Sequence, residues 1–258
     1  MTASAKNGFP TESALCAAFI AALPEGWRAY PESAGFDILL VRLSDGTQIG
    51  IQAKLTLNAA VIAQIVDYGY DPCSEGTDFR AVLVPASKAG SLVVVCKLLG
   101  ITVIRMTDPG EEEVRARYRL GRAEPFRPEL PLPGERYWRS ASEWLEWAPA
   151  KRMALPDYVP DVVAGASAPL QLTDWKIRAI KIAIIVERRG SVTRADFKAI
   201  GIDYRRWIDP YVKWLARGET PGVWIAGDKL GAFKAQHPVN YEQIAADFDK
   251  WAPKAVQA

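Results

Sequence analysis

The sequence predicts a three-layer α/β domain on a mixed sheet, followed by a proline-rich connector and a winged helix-turn-helix domain. Three observations carry that expectation. The stretch Thr47-Gln48-Ile49-Gly50-Ile51-Gln52-Ala53-Lys54-Leu55 alternates, with Ile49, Ile51, Ala53 and Leu55 on one face and Gly50, Gln52 and Lys54 on the other. Helical and strand-like segments then alternate as far as residue 107, which implies crossover connections and helices on both faces of a sheet. Beyond residue 170, three helical stretches precede two short β runs around a Gly-Asp-Lys turn.

The elements follow in order. Thr11 to Leu23 reads as a helix with Cys16, Phe19, Ile20 and Leu23 as its apolar stripe, and Glu12 points along that same side. Trp27 to Glu32 is a first strand and Phe36 to Val41 a second. Ser44-Asp45-Gly46 turns the chain into the alternating strand. Asn58 caps a helix through about Tyr70, turning Ile62, Ile65 and Val66 inward. Phe79 to Pro85 is a buried strand, Leu92 to Leu99 a helix, and Ile101 to Met106 a strand. The boundaries are 1–107 for this domain, 108–169 for the connector and 170–258 for the last domain.

Eight prolines between Pro125 and Pro169 exclude regular elements from most of the connector, leaving only Ser140 to Trp147 as a short helix. Trp138, Trp144 and Trp147 nevertheless seek burial, so the connector is expected to wrap against a domain. In the last domain Thr173 to Arg188 and Thr193 to Ile200 are helices, and Asp203 caps a third through Leu215. Val223 to Ala226 and Leu230 to Phe233 form the hairpin, with Lys229 at its tip.

Composition narrows the function classes. A chain of 258 residues with 49% apolar and 24% charged residues is an ordinary globular protein, not a disordered one. Charge is unevenly spread: residues 1–107 hold 8 Lys/Arg against 9 Asp/Glu, residues 108–169 hold 9 against 11, and residues 170–258 hold 15 against 10. A basic last segment points to a polyanion. Cys16, Cys73 and Cys96 are too few and too scattered for a disulfide framework or a zinc site, and the single His237 excludes a His-rich one. The N-terminus lacks a basic-then-apolar leader pattern. The run Ile177 to Val186 is too short to span a bilayer and contains Arg178 and Lys181, so a cytoplasmic protein with no membrane partner is expected.

Asp37 leads an apolar strand, where an unpaired carboxylate is costly. Gln52 and Lys54 project together from the adjoining strand. An acid, an amide oxygen, the Ala53 carbonyl and an ammonium in one place suit a hard divalent cation and a water. This spacing resembles the PD-(D/E)xK nuclease superfamily, with Asp37 as the first acid and Gln52-Ala53-Lys54 as the triplet. The resemblance spans residues 9–107, and the predicted order of elements agrees with the αβββαβ restriction-endonuclease-like core of that superfamily. Gln in place of the second acid is similar to the variant in Mrr-type restriction endonucleases and in the end-cleaving subunit of heteromeric transposases. Those proteins carry a Glu on the first helix, which Glu12 matches; Glu32 is a rival third acid. Gln64-x-x-x-Tyr68 is similar to a helix motif of the RecB-type branch.

The resemblance implies Mg²⁺ or Mn²⁺ held by Asp37, Gln52, Ala53 and Glu12, with Lys54 assisting the attacking water. It implies double-stranded DNA as substrate and restriction or mobile-element processing as context. In the last domain Arg205 and Arg206 open the expected recognition helix, Arg188, Arg189, Arg194 and Lys198 precede it, and Lys229 tips the wing. The expected function is metal-dependent endonucleolytic cleavage of DNA, by a homodimer or with a partner recombination or defence subunit. The alternatives are an exonuclease, or a catalytically silent nuclease fold serving as a DNA-binding or assembly subunit.

Overall fold

Alternation in the sequence becomes a six-stranded mixed sheet in the computed structural model, which describes residues 8–67, 75–111, 124–134, 143–165, 172–209 and 211–253. The chain divides into two compact units. The first comprises Met1–Leu155 and Val163–Ala168, the second Pro156–Val162 and Pro169–Ala258. No helix among the described residues is long and apolar enough to cross a membrane.

The first unit opens with α1 (Glu12–Ala21), started by the Thr11 hydroxyl, which accepts the Ala14 N–H at 3.1 Å. Strands β1 (Trp27–Ser33), β2 (Phe36–Arg42) and β3 (Gln48–Ala53) form an antiparallel meander. Helix α2 (Ala59–Asp67) follows, with the Asn58 carboxamide accepting the Val61 N–H at 3.0 Å. After the two-residue β4 (Glu75–Gly76) come β5 (Phe79–Pro85), α3 (Val93–Leu98) and β6 (Thr102–Met106). β3, β5 and β6 run parallel, so their C-terminal ends share one edge of the sheet. The sheet order is β1-β2-β3-β5-β6-β7, with β7 (Phe126–Arg127) antiparallel to β6.

Leu15, Cys16 and Phe19 of α1 bury themselves among Ile38, Leu40, Ile49, Ile51, Ala81 and Ile104. Every residue of β3 is buried, so its polar face is not a solvent face. Gly50 has a packing reason: a Cβ there would lie 2.5 Å from the Phe36 ring.

The connector is less irregular than its prolines predict. β7 and β8 (Lys151–Arg152) are short strands within it, and β8 pairs with β4. Two-residue strands survive there because each needs only a partner edge, not a long run free of proline. The expected helix at 140–147 is absent over its described part, residues 143–147. That stretch is held by tertiary contacts instead: the Trp147 N–H donates to Asp78 C=O, and the buried Trp144 ring meets Phe79 edge-on at 5.6 Å. Trp138 lies outside the described residues.

In the second unit α4 (Asp174–Arg189) and α5 (Arg194–Ile200) end at Gly190 (φ 78°) and Gly201 (φ 73°), left-handed positions that suit glycine. A three-stranded sheet runs in the order β10 (Leu215–Arg217), β11 (Val223–Ala226), β9 (Val192–Thr193). The chain closes with α6 (Ala232–Gln236), α7 (Pro238–Ala246) and α8 (Phe248–Trp251). The third helix expected from Asp203 to Leu215 is not formed: residues 205–208 are turn, no helix forms over 203–209, and Leu215 begins a strand. Pro210 interrupts any helix through this stretch, and the Asp203 carboxylate accepts the Arg205 N–H at 2.9 Å, a local bond that competes with helix. The hairpin also differs. β11 pairs back with β10, while Leu230 and Phe233 turn inward as buried residues at and before α6. Lys229 therefore sits in the turn before α6, its N–H bonded to Lys213 C=O, and not at a wing tip.

Candidate functional site

Backbone register lines up three side chains. In β1–β2, Pro31 pairs with Ile38 and Ser33 with Phe36, which sets Glu32 across from Asp37. In β2–β3, Ile38 pairs with Ile51, which sets Asp37 across from Gln52. Residues so opposed have Cβ atoms about 4.5–5.5 Å apart, so Glu32, Asp37 and Gln52 form one row across three strands.

Each member is held. Asp37 Oδ2 accepts the Ala53 N–H at 2.7 Å. Gln52 is 1% exposed and its Nε2 donates to Gly35 C=O at 2.9 Å, so the amide oxygen is the atom that contact does not use. Glu32 Oε1 accepts the Gly165 N–H at 2.6 Å. The end of β1 and the turn into β2 hold left-handed residues, Glu32 (φ 49°) in the strand and Ala34 (φ 54°) and Gly35 (φ 84°) in the turn. For the two that are not glycine this conformation costs of order 1–3 kcal/mol each, and such strain gathers at functional sites.

Lys54 lies just past β3, where its N–H donates to Leu83 C=O and continues the ladder. Its Nζ meets Glu12 Oε2 at 2.7 Å, with both side chains about one-third exposed. Glu12 thus engages the ammonium, while Glu32 stands in the row beside Asp37. Helix position explains the pair: Glu12 begins α1, where a carboxylate also complements the helix dipole.

Burial dominates the electrostatics, and the neighbouring acids add to it. Burial raises the Asp37 pKa above the usual carboxylate range; Glu32 and Glu12 push it the same way, against the Ala53 N–H and Lys54. Burial, then Asp37, Glu32 and Glu12, also drive the Cys16 thiol pKa up, so Cys16 is a neutral thiol and no thiolate ligand. Among the described residues no three His, Cys, Asp or Glu side chains group as a metal site. The row instead offers two carboxylates and an amide. Oxygen donors with surplus negative charge fit a hard divalent cation that keeps several waters.

One contributor carries no advance signal in the sequence. Gly165 (φ 74°) returns the connector to the first unit, giving its N–H to Glu32 and accepting the Ser13 hydroxyl at 3.2 Å. A Cβ at Gly165 would lie 3.3 Å from Ser13 N and 3.5 Å from Cys16 Sγ. A glycine within a proline-rich tract reads as a turn, and nothing in the local pattern ties it to residues 12–32. On α2, Gln64 is exposed, and Tyr68 lies outside the described residues.

The basic residues of the second unit are largely occupied. Arg189 pairs with Asp196 at 3.1 Å and bonds Pro253 C=O. Arg188 donates to Ala245 C=O at 2.6 Å and lies over Phe248, 4.5 Å from the ring centroid. Arg194 covers Tyr204 at 4.9 Å. Arg206 lies over both Trp175 (5.5 Å) and Trp214 (5.3 Å), and Arg205 pairs loosely with Asp203 at 3.4 Å. Lys198 is exposed on α5 and Lys229 exposed before α6. These cations do not gather around one helix.

No family model matches the chain, and neither a curated protein nor a solved structure matches it.

Proposed function

We propose that the chain is a magnesium-dependent deoxyribonuclease that cleaves double-stranded DNA internally, with a three-layer restriction-endonuclease-like catalytic core and a winged-helix-like second domain. One observation carries this reading: Glu32, Asp37 and Gln52 stand in a row across adjoining strands, with Lys54 two residues beyond Gln52. Asp37, Glu32 and the Gln52 oxygen would hold Mg²⁺ or Mn²⁺, with the Ala53 carbonyl beside them. The bound cation supplies polarisation of the phosphoryl oxygens and a lowered pKa for a coordinated water. Lys54 offsets charge developing on the phosphate, and Glu12 positions the Lys54 ammonium. Cutting both strands requires two such centres, hence a pair of copies or a partner subunit. A restriction-like or mobile-element role fits that chemistry.

The test is incubation of supercoiled plasmid with the full chain and Mg²⁺ or Mn²⁺. Nicked and linear products are expected, and Asp37→Ala or Lys54→Ala is expected to lower the rate by about 10²–10³-fold, the scale of losing one transition-state contact. Undiminished cutting by both variants refutes the assignment.

One observation favours a silent fold. Lys54 is already paired with Glu12, and Gln52 brings no charge. On that reading the chain is a DNA-binding or assembly subunit, marked by salt-dependent DNA binding with no cleavage under either cation.

A further inference from the structure

The missing third helix leaves an unexpected surface. Residues 203–209 form no helix, so none is available there to enter a major groove. Instead, the segment from Tyr204 to Trp214 presents rings and cations. Trp175, in the first turn of α4, is 37% exposed, and Tyr211 is 90% exposed. The Trp175 ring lies 5.9 Å from Trp214, and the exposed Arg206 guanidinium faces both. Arg205 and Lys213 are exposed on the same segment. Lys213 is held at φ 56°, a left-handed conformation costly for lysine, with its carbonyl accepting from Lys229. The acids of the segment are engaged: Asp203 pairs with Arg205, and Asp209 accepts the Tyr211 N–H at 2.8 Å.

Beneath this surface the rings are fully committed. Trp207 is completely buried, stacked on Phe233 at 5.2 Å and edge-on to Phe197 at 5.6 Å. Trp175 packs on Trp207, Trp214 and Phe233 and still leaves 37% of its surface exposed, while Tyr211 stays 90% exposed. Flat aromatic faces beside guanidinium and ammonium groups match a ligand with flat bases and a phosphate backbone. In a duplex the base faces are stacked away, so the surface complements only unpaired nucleotides.

We propose that the second unit binds single-stranded nucleic acid through this segment and Trp175, stacking bases on Tyr211 and Trp175 and neutralising phosphates with Arg205, Arg206 and Lys213. The site differs from the catalytic row and assigns the second unit to the unpaired strand at a DNA end or a distorted duplex. It rests on the proposed nuclease reading only for the choice of DNA over RNA.

The experiment is fluorescence anisotropy of the full chain with labelled dT12, rU12 and a 12-base-pair duplex, in EDTA and low salt. The absence of divalent ion keeps the result independent of any cleavage. dT12 is expected to bind more tightly than the duplex and to quench tryptophan emission. Tyr211→Ala, at an exposed position that cannot unfold the core, is expected to weaken dT12 binding about 5- to 100-fold, the worth of one stacked base. Trp175→Ala is expected to do the same, with circular dichroism checking its fold. An rU12 affinity equal to that for dT12 retains the site and assigns it to either nucleic acid. Equal affinity for duplex and single strand, no binding of dT12, or dT12 binding indifferent to Tyr211→Ala overturns the proposal.

Discussion

Asp37 carries the sharpest consequence at the scale of single residues. Its carboxyl holds its proton more tightly in the folded chain than in the unfolded one, chiefly because it is buried. Across the pH range just above the ordinary carboxylate pKa, the folded state therefore binds more protons, and stability falls as pH rises through that range. Asp37→Asn removes the penalty and keeps an oxygen to accept the Ala53 N–H. The variant is expected to melt at a higher temperature than the parent at neutral pH without divalent ions. The gap should narrow as pH falls and close only well below the ordinary aspartate pKa of about 3.9, where the carboxyl is protonated in both states. Thermal melts across the acid range up to neutral pH check this, and a gap of constant size would contradict it. The Glu12–Lys54 pair is too exposed for its own stability contribution to exceed about 1 kcal/mol, so its value lies in where it holds the ammonium.

Elements were legible wherever periodicity and caps agreed. The strands at Trp27–Ser33, Phe36–Arg42 and Phe79–Pro85 and the helix at Asp174–Arg189 stand within a residue or so of their expected bounds. Apolar alternation, or an apolar stripe closed by glycine, left no competing assignment there. Tyr204 to Trp214 defeated the same reasoning. Trp207, Tyr211 and Trp214 recur at helical spacing, yet Tyr211 is exposed, and the packing of Trp207 and Trp214 is decided by rings, with Phe197 and Phe233. Pro210 then removes the donor that a helix needs. In the site, Asp37, Gln52 and Lys54 were legible from strand parity and their nearness in sequence. That Glu32 lies across from Asp37 while Glu12 pairs with Lys54 depends on the β1–β2 register and on a hydrogen bond to Gly165, far off in the chain, neither of which shows in the local sequence. Gly50 gives a prediction at this scale. Because a Cβ would press on the Phe36 ring, Gly50→Ala is expected to destabilise the first unit by about 1–3 kcal/mol, the usual cost of overpacking. Denaturant titration reads the change, and an unaltered midpoint would show that Phe36 moves aside freely.

On the scale of the whole molecule, the second unit includes a piece of the connector. Asp161 accepts N–H groups from Val239 and Asn240 at the start of α7, and its other oxygen lies 2.8 Å from His237 Nδ1. Asn240 returns two bonds, accepting the Asp161 N–H and donating to Val159 C=O. A fragment starting at residue 156 is therefore expected to be more stable than one starting at residue 170, by about 2–4 kcal/mol for the several partly buried bonds lost. Melting the two fragments side by side checks this. Equal midpoints would mean that residues 156–162 contribute nothing to the fold.

The chain leaves the first unit after Leu155, returns to it at Val163 and departs again after Ala168. Genes that trade modules by one crossover rely on each module being a single uninterrupted stretch. Here any lone junction between residues 156 and 168 strands a strap of one module on the other. Gly165, which grips Glu32, is among the pieces misplaced by a junction upstream of it. Exchange of the second unit with a foreign counterpart thus needs two junctions, so that residues 163–168 stay with the host's acidic row.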